Sequence, residues 1–245
     1  MLVFVRVGAL LATLPFFSAS NIPVRVRLAL GAVVAFLVAP ILPVSGIAQS
    51  GFWPLVRLLV IEAMVGLLLG FICRIIFFAM DLAGSIVATE IGLSLPSTFN
   101  PLTASQNTAP GTILYWMGIM LLLGFDLHHW MVIAFYRSYE LLPVGIAHGS
   151  APLLQDIIQR SAGIFQIALQ MTAPVMAASF VVTLVFSILG RAVPQMNVFS
   201  ESYAVRTLVG LMVFGLSTTL MAHYISNYLH KLPEDLARVS RLLAT

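Results

Sequence analysis

Few side chains in this sequence could do chemistry, and the densest group of them is "DLHH": Asp126, His128 and His129 could ligate a metal or pass protons. Adjacent histidines point different ways on a helix or a strand, and no third ligand is evident nearby. A polar kink between two short apolar arms needs such residues in any case, to satisfy freed backbone groups. A second set, Glu62, Asp81 and Glu90 with Arg57 and Arg74, could form a proton or ion pathway, because ionisable residues in apolar runs are functional candidates. Arg74 and Asp81 are seven apart and share a helical face, which equally suits an ion pair holding helices together. Arg137 and Glu140, at i,i+3, read as a local surface pair. The metalloprotease HExxH, the GxSxG elbow, the Walker loop and the dinucleotide fingerprint do not occur, and nothing in the chain calls for a cofactor or a metal.

The elements that must position these residues belong to a membrane. Of 245 residues, 60% are hydrophobic and 9% charged, with a mean hydropathy of +1.03, whereas soluble domains carry about 25% charged residues. So few charges cannot cover a water-facing surface, so the exterior faces lipid or other apolar protein. The net charge is +3, Lys231 is the only lysine, and the arginines are scattered, which leaves no footprint for nucleic acid. Cys73, the only cysteine, precludes an internal disulfide and reads as a buried thiol. The N-terminal run has an apolar stretch and an "SAS", but Arg6 and Pro15 interrupt it, so a retained first membrane segment is expected rather than a signal peptide.

Apolar segments cover residues 2–17, 28–42, 55–80, 113–125, 130–136, 164–189 and 207–229. Only the third and the last two reach the roughly 20 residues that a spanning helix needs. The fourth and fifth, separated by "DLHH", predict a bent, re-entrant pair, which is tolerated only where it is buried in protein or lines a water-filled cavity. The long segments carry Glu62, Arg74 and the i,i+4 pair Gln166 and Gln170, so they are expected to face a bundle interior, and Pro174 is expected to interrupt the sixth segment. Gly66 and Gly70 form a GxxxG that permits close backbone approach. Lys231, Arg238 and Arg241 after the last segment, and Arg25 and Arg27 before the second, place the C-terminal tail (230–245) and the first loop in the cytoplasm and residues 45–53 outside. In the tail, Leu236, Val239, Leu242 and Leu243 recur at helical spacing, as in a solvated end helix.

One loop avoids charge altogether. "GLSLPSTFNPLTASQNTAPGTILYW" begins at Gly92, and from residue 91 to residue 125 there is no Asp, Glu, Lys or Arg, the flanking charges being Glu90 and Asp126. Pro96, Pro101 and Pro110 and the density of Ser, Thr and Asn make it a loop. Its lack of charge predicts burial in protein or a cavity, since a solvated loop of that size ordinarily carries charge.

Four stretches, in order, carry a resemblance: "RVGALLATLPFFSASNIPVRVRLALG" with Arg6, Pro15, Ser18, Pro23, Arg25 and Arg27; "EIGLSLPSTFNP"; "GFDLHHWMVIAFYRSYELLPVG"; and "GRAVPQMNVFSESYAVRTLVGL". Together they resemble the FliR family of flagellar export-gate membrane proteins, related to the SctT proteins of virulence type III secretion. "VPQMNVF" with the "FNP" loop is closer to the flagellar branch. The resemblance runs from about Arg6 to Leu229. It departs at the N-terminus, where members usually have a further stretch, so that this chain begins late or uses a shorter first segment. It departs again where a family "GH" glycine is replaced, Leu127 and His128 here preceding His129.

The resemblance implies an all-α polytopic membrane protein of helical hairpins, some re-entrant or raised out of the bilayer, in a hetero-oligomeric gate of the bacterial inner membrane within the flagellar basal body. Residues 1–229 would form the membrane domain, about 1–160 FliP-like and about 161–229 a FliQ-like hairpin. Implied partners are FliP-like and FliQ-like subunits, an FlhB-like protein, the FlhA-like apparatus, membrane lipid and unfolded substrates in transit. Such a chain is not an enzyme; an ATPase and the proton motive force would act through partner subunits. The family's loop after "GLS" points into the channel and helps plug it. Here that loop is residues 95–112, with Phe99, Asn100 and Pro101 matching the motif and Thr103, Ala104, Ser105, Gln106, Asn107 and Thr108 matching by position. Glu62, Gly66, Gly70, Arg74, Asp81, Glu90, Gly92, Pro194, Gln195 and Asn197 would serve subunit packing or gate structure. The alternatives are an SctT-type virulence gate subunit, a proton-coupled small-solute transporter using Glu62, Arg74 and Asp81, and an intramembrane hydrolase centred on His128 and His129.

Overall fold

In lipid only a helix or a closed barrel satisfies every backbone group internally, and this chain answers with helices. The computed structural model describes residues 1–14, 23–41, 51–94, 108–193, 195 and 197–244. The described helices are α1 (Leu2–Thr13), α2 (Val24–Val38, continued by a 3-10 turn, Ala39–Ile41), α3 (Phe52–Glu90), α4 (Ala109–Gly124), α5 (Leu127–Leu141), α6 (Ala151–Ala192) and α7 (Val198–Ala244). No strand occurs among the described residues. Each apolar segment of the sequence seeds one helix.

Three helices are long and apolar enough to cross a membrane alone, and the bent pair α4–α5 qualifies jointly as a fourth. With 39, 42 and 47 residues, α3, α6 and α7 extend about 58, 63 and 70 Å at 1.5 Å per residue, about twice the hydrocarbon thickness of about 30 Å. They therefore run well past a single crossing. Apolar windows marked the middles of these helices and missed their polar continuations.

Four sequence expectations are corrected. The break in the bent pair falls at Phe125–Asp126, not across "DLHH": Asp126 has φ 54°, a left-handed conformation that Asp tolerates better than Leu, and His128 and His129 already lie in α5. Pro174 does not interrupt α6, and α7 likewise continues through Pro233. The tail is no separate solvated helix: it continues α7, with Leu236, Val239 and Leu243 buried. Gln166 and Gln170 do not face an interior of this chain; both are exposed on α6.

The chain divides into two interleaved units, since α3, α6 and α7 contribute to both. The first comprises Met1–Ile75, Leu123–Ser161 and Tyr228–Thr245. Its core joins Val7, Leu10 and Leu11 of α1 to Val65, Leu69 and Ile72 of α3, Phe135 and Tyr139 of α5, and Leu236 and Val239 of α7. Within it the Arg6 guanidinium donates from Nε to Glu62 Oε2 at 2.5 Å, from Nη2 to Oε1 at 3.0 Å and from Nη1 to the Leu142 carbonyl at 3.2 Å. The Gly145 N–H donates to Glu62 Oε1 at 2.9 Å, and the Tyr139 ring lies 4.2 Å from the guanidinium carbon. Both charges are fully buried, with 0% exposure.

The glycines beside this pair let α3 approach α1. A Cβ on Gly66 would stand 2.3 Å from the Arg6 carbonyl oxygen, and one on Gly70 would stand 1.6 Å from Thr13 Oγ1. Gly66 and Gly70 thus set the helix separation at which Arg6 reaches Glu62. The second unit comprises Ile76–Leu122 and Ala162–Asn227.

Removing one member of a buried pair strands the other charge. Arg6→Ala or Glu62→Ala is expected to cost about 3–5 kcal/mol, read as thermal unfolding of the purified protein in detergent. The double variant Arg6→Met/Glu62→Leu is expected to cost less than either single; losses that simply add would contradict the coupling.

Candidate functional site

The charge-free stretch joins Gly92, at the end of α3, to Thr108, at the start of α4, both in the second unit. Phe99, Asn100, Pro101, Thr103, Ala104, Ser105, Gln106 and Asn107 lie outside the described residues, so the site is built from the two roots of the loop.

At the first root α3 stops. Gly92 has φ 84°, the left-handed conformation that glycine adopts past a helix end, and its N–H donates to Thr89 O at 3.2 Å. The last helical carbonyls have no partner within the helix, and here α7 supplies them. The Tyr203 hydroxyl donates to Gly92 O at 2.8 Å and the Thr207 hydroxyl to Ile91 O at 2.7 Å. From α6, the Ser179 hydroxyl donates to the half-buried Glu90 carboxylate. Tyr203, Thr207 and Gly210 fall at i, i+4 and i+7, one helical face, and that face fits closely. A Cβ on Gly92 would stand 2.3 Å from the Tyr203 ring, and one on Gly210 would stand 2.2 Å from Ile91 Cγ2. Behind Ser179, Thr183 Oγ1 donates to Ser179 O at 2.7 Å and accepts from Arg206 Nη2 at 2.9 Å.

At the second root Thr108 caps α4. Its Oγ1 accepts from Gly111 N at 3.2 Å and its carbonyl from Thr112 N at 2.9 Å, an N-cap arrangement. There α3 and α4 meet backbone to backbone, since a Cβ on Gly84 would stand 2.1 Å from Gly111 Cα. One turn pair further on, Gly118 faces Met80, and Phe77 meets Tyr115 edge-on at 5.4 Å.

In the turn between α6 and α7, Gln195 is exposed, Asn197 Oδ1 accepts from Ser200 N at 3.3 Å to cap α7, and Gly190 lies against Val198. Pro194 is outside the described residues.

The other candidates separate. Glu62 lies in the first unit, sealed against Arg6, which the sequence reading had not considered as its partner. Arg74 is half-buried, and Arg57 and Asp81 are exposed. Arg137 and Glu140 are exposed on a groove of about 450 Å³ that Trp130 and Arg241 also line. Asp126, His128 and His129 do come together, their ligand atoms lying within 4.8 Å of one another and the two imidazole centroids 4.1 Å apart, so the expected divergence of the histidines does not hold. Donors on a tetrahedral zinc stand about 3.3 Å apart, given bonds of about 2.05 Å, and Asp126 Oδ1 stands farther than that from His129 Nδ1, at 3.7 Å.

Tyr203, Thr207, Gly210, Ser179, Gly84 and Gly111 were not identified from the sequence as site residues. The available signal was the i, i+4, i+7 spacing of two hydroxyls and a glycine inside an apolar helix.

Three helices long and apolar enough to cross a membrane, with a bent pair beside them, define an all-α polytopic membrane protein. The chain belongs to the family described as "Bacterial export proteins, family 1", whose sequence profile matches residues 1–232. It is similar to the flagellar biosynthetic protein FliR of Caulobacter vibrioides, with 30% identity over 90% of this chain and 88% of that one. The Bacillus subtilis protein of the same name is 31% identical over 87% and 83%, and that of Escherichia coli is 26% identical over 89% and 84%.

Gly92 tests the first root. Gly92→Ala places a side chain at positive φ against the Tyr203 ring and is expected to destabilise the protein by about 1–3 kcal/mol. The exposed neighbour Leu93 serves as control, with Leu93→Ala expected to stay within about 0.5 kcal/mol; equal melting shifts for the two would contradict the assignment.

Proposed function

We propose that this chain is the FliR-type structural and gating subunit of a flagellar type III protein export channel. It would sit in the inner membrane within the basal body, assembled with FliP-like and FliQ-like subunits beside FlhB-like and FlhA-like proteins. Residues 95–112 close the channel between rounds of export. The observation that carries this reading is the charge-free loop whose two roots are both pinned within one unit, in a chain of the export family.

The physical demands on a closure fit that loop. It must exclude ions at rest and then let an unfolded chain of any sequence slide past. Uncharged Ser, Thr, Asn and Gln pair backbone groups without gripping charged cargo, and Pro96, Pro101 and Pro110 limit the conformations the loop surrenders on ordering. The chain needs no chemistry of its own for this, since substrate bonds are neither made nor broken.

Partners are supported by what the chain leaves uncovered. Gln166 and Gln170 are exposed on α6 among Phe165, Leu169, Phe180 and Leu184, all exposed, and an exposed glutamine pair in lipid is costly unless another helix bonds it. The transporter reading loses its central carboxylate, since Glu62 is sealed by Arg6 and Gly145.

Deleting residues 103–109 is expected to leave assembly intact and make cells leak ions or small solutes; wild-type permeability in an assembled deletion would contradict the closure. Gln166→Leu and Gln170→Leu are each expected to lower partner co-purification about threefold, given about 0.6 kcal/mol per interhelical polar contact. Unchanged co-purification would move the partner interface elsewhere.

A further inference from the structure

The Arg206 guanidinium is held by very little. It has five N–H donors, and among the described residues one hydroxyl takes one of them, Thr183 Oγ1 accepting from Nη2 at 2.9 Å. That hydroxyl gives its own proton to Ser179 O at 2.7 Å, so it meets the cation as a neutral acceptor. Nε is buried and has no acceptor among the described residues. No carboxylate side chain of this chain answers the charge. All nine Asp and Glu residues lie among the described residues, and none forms an ion pair with Arg206. Glu90 is bonded instead to Ser179, one turn back on α6.

The setting makes an unanswered charge costly. Thr183 lies six residues inside the end of the apolar run 164–189, about 9 Å at 1.5 Å per residue. Charged side chains in such segments face protein and pair there. Thr183 is exposed and Arg206 half-buried, and Phe180 and Leu184 of α6 and Val205 and Met212 of α7 are exposed as well. Apolar surface is therefore left uncovered beside both residues of the contact.

We propose that Arg206 is an intersubunit contact, whose counter-charge is a carboxylate on an apolar helix of a partner subunit. Thr183 is the positioning residue that turns the guanidinium toward it. The contact rests on the reading of this chain as one subunit of a hetero-oligomer, and it names what the neighbour must bring: one Asp or Glu set among apolar side chains. A phospholipid phosphate fits less well, because headgroups lie beyond the end of the apolar run and the guanidinium is bonded within it.

Two readouts of Arg206→Leu separate a contact between subunits from an internal one. In the complex the substitution strands the partner's carboxylate, and co-purification of partner subunits is expected to fall about thirtyfold, with Arg206→Lys recovering much of the loss. The melting temperature of the isolated chain in detergent is expected not to fall, since within the chain Arg206 holds only Thr183. Undiminished co-purification overturns the contact. A lower melting temperature of the isolated Arg206→Leu chain assigns Arg206 an internal role and overturns it too. A wild-type chain that co-purifies with no other subunit would sink the assembly reading and this contact with it, whereas a wild-type complex that Arg206→Leu leaves whole sinks the contact alone.

A zero-length crosslink finds the partner group without weakening the complex first. In the complex carrying Arg206→Lys, a membrane-permeant carbodiimide activates a carboxylate, the amine at position 206 attacks it to form an amide, and the carbodiimide leaves as its urea. Mass spectrometry is expected to find that amide on an Asp or Glu of a partner subunit. An assembled complex whose only amide from position 206 is to a carboxylate of this same chain overturns the contact. So does one with no amide and a phospholipid that co-purifies with wild type and is lost from Arg206→Leu.

Discussion

A helix that ends in apolar surroundings must give its last carbonyls to something other than water, and this constraint organises the candidate site. At the end of α3 the acceptors are Ile91 O and Gly92 O, and the donors come from α7 across a face kept narrow by Gly210. Gly92 at positive φ turns the chain out of the helix at that point. At the far side of the loop the first amides of α4 meet the same constraint and are answered locally by Thr108. The loop is therefore defined by where backbone groups had to be satisfied, and both ends of it stay within one unit.

The two units solve stability with different chemistry. The first uses full charges. Arg6 and Glu62 are sealed in its core, and Asp156, Arg160, Asp235 and Arg238 form a chain in which Arg160 reaches Asp156 at 2.6 Å and Asp235 at 2.9 Å, and Arg238 reaches Asp156 at 3.1 Å. In the second, the described contacts at the roots of the loop include hydroxyl bonds and close glycine contacts, with Glu90 and Arg206 bound through Ser179 and Thr183. Fixed ion pairs suit a frame.

The helices were legible because apolar runs in a membrane chain have little other choice, and the GxxxG of Gly66 and Gly70 was legible as a pattern. Helix ends were not, because the continuations of α3, α6 and α7 are polar enough to look like loops once the apolar window closes. The partner of Glu62 was hidden by distance: Arg6 lies 56 positions away, and the charges on α3 itself drew attention first. Tyr203 and Thr207 were hidden by ambiguity. A hydroxyl in an apolar helix usually bonds its own carbonyl four residues back, as Thr172 does to Ala168 and Ser240 to Leu236, so only the spacing of the two hydroxyls with Gly210 set them apart. The avoidance of charge in the loop was legible, and it remains the strongest pointer to function.

The central claim is that this loop lies on the path of the exported chain. A photo-crosslinker introduced at Gln106 in the assembled complex, with an export substrate stalled in transit, tests it most directly. The account predicts a crosslink from Gln106 to the stalled substrate and none from a crosslinker at Phe36, an exposed position on α2. A complex shown to hold the stalled substrate, yet giving no crosslink from the loop, would contradict it.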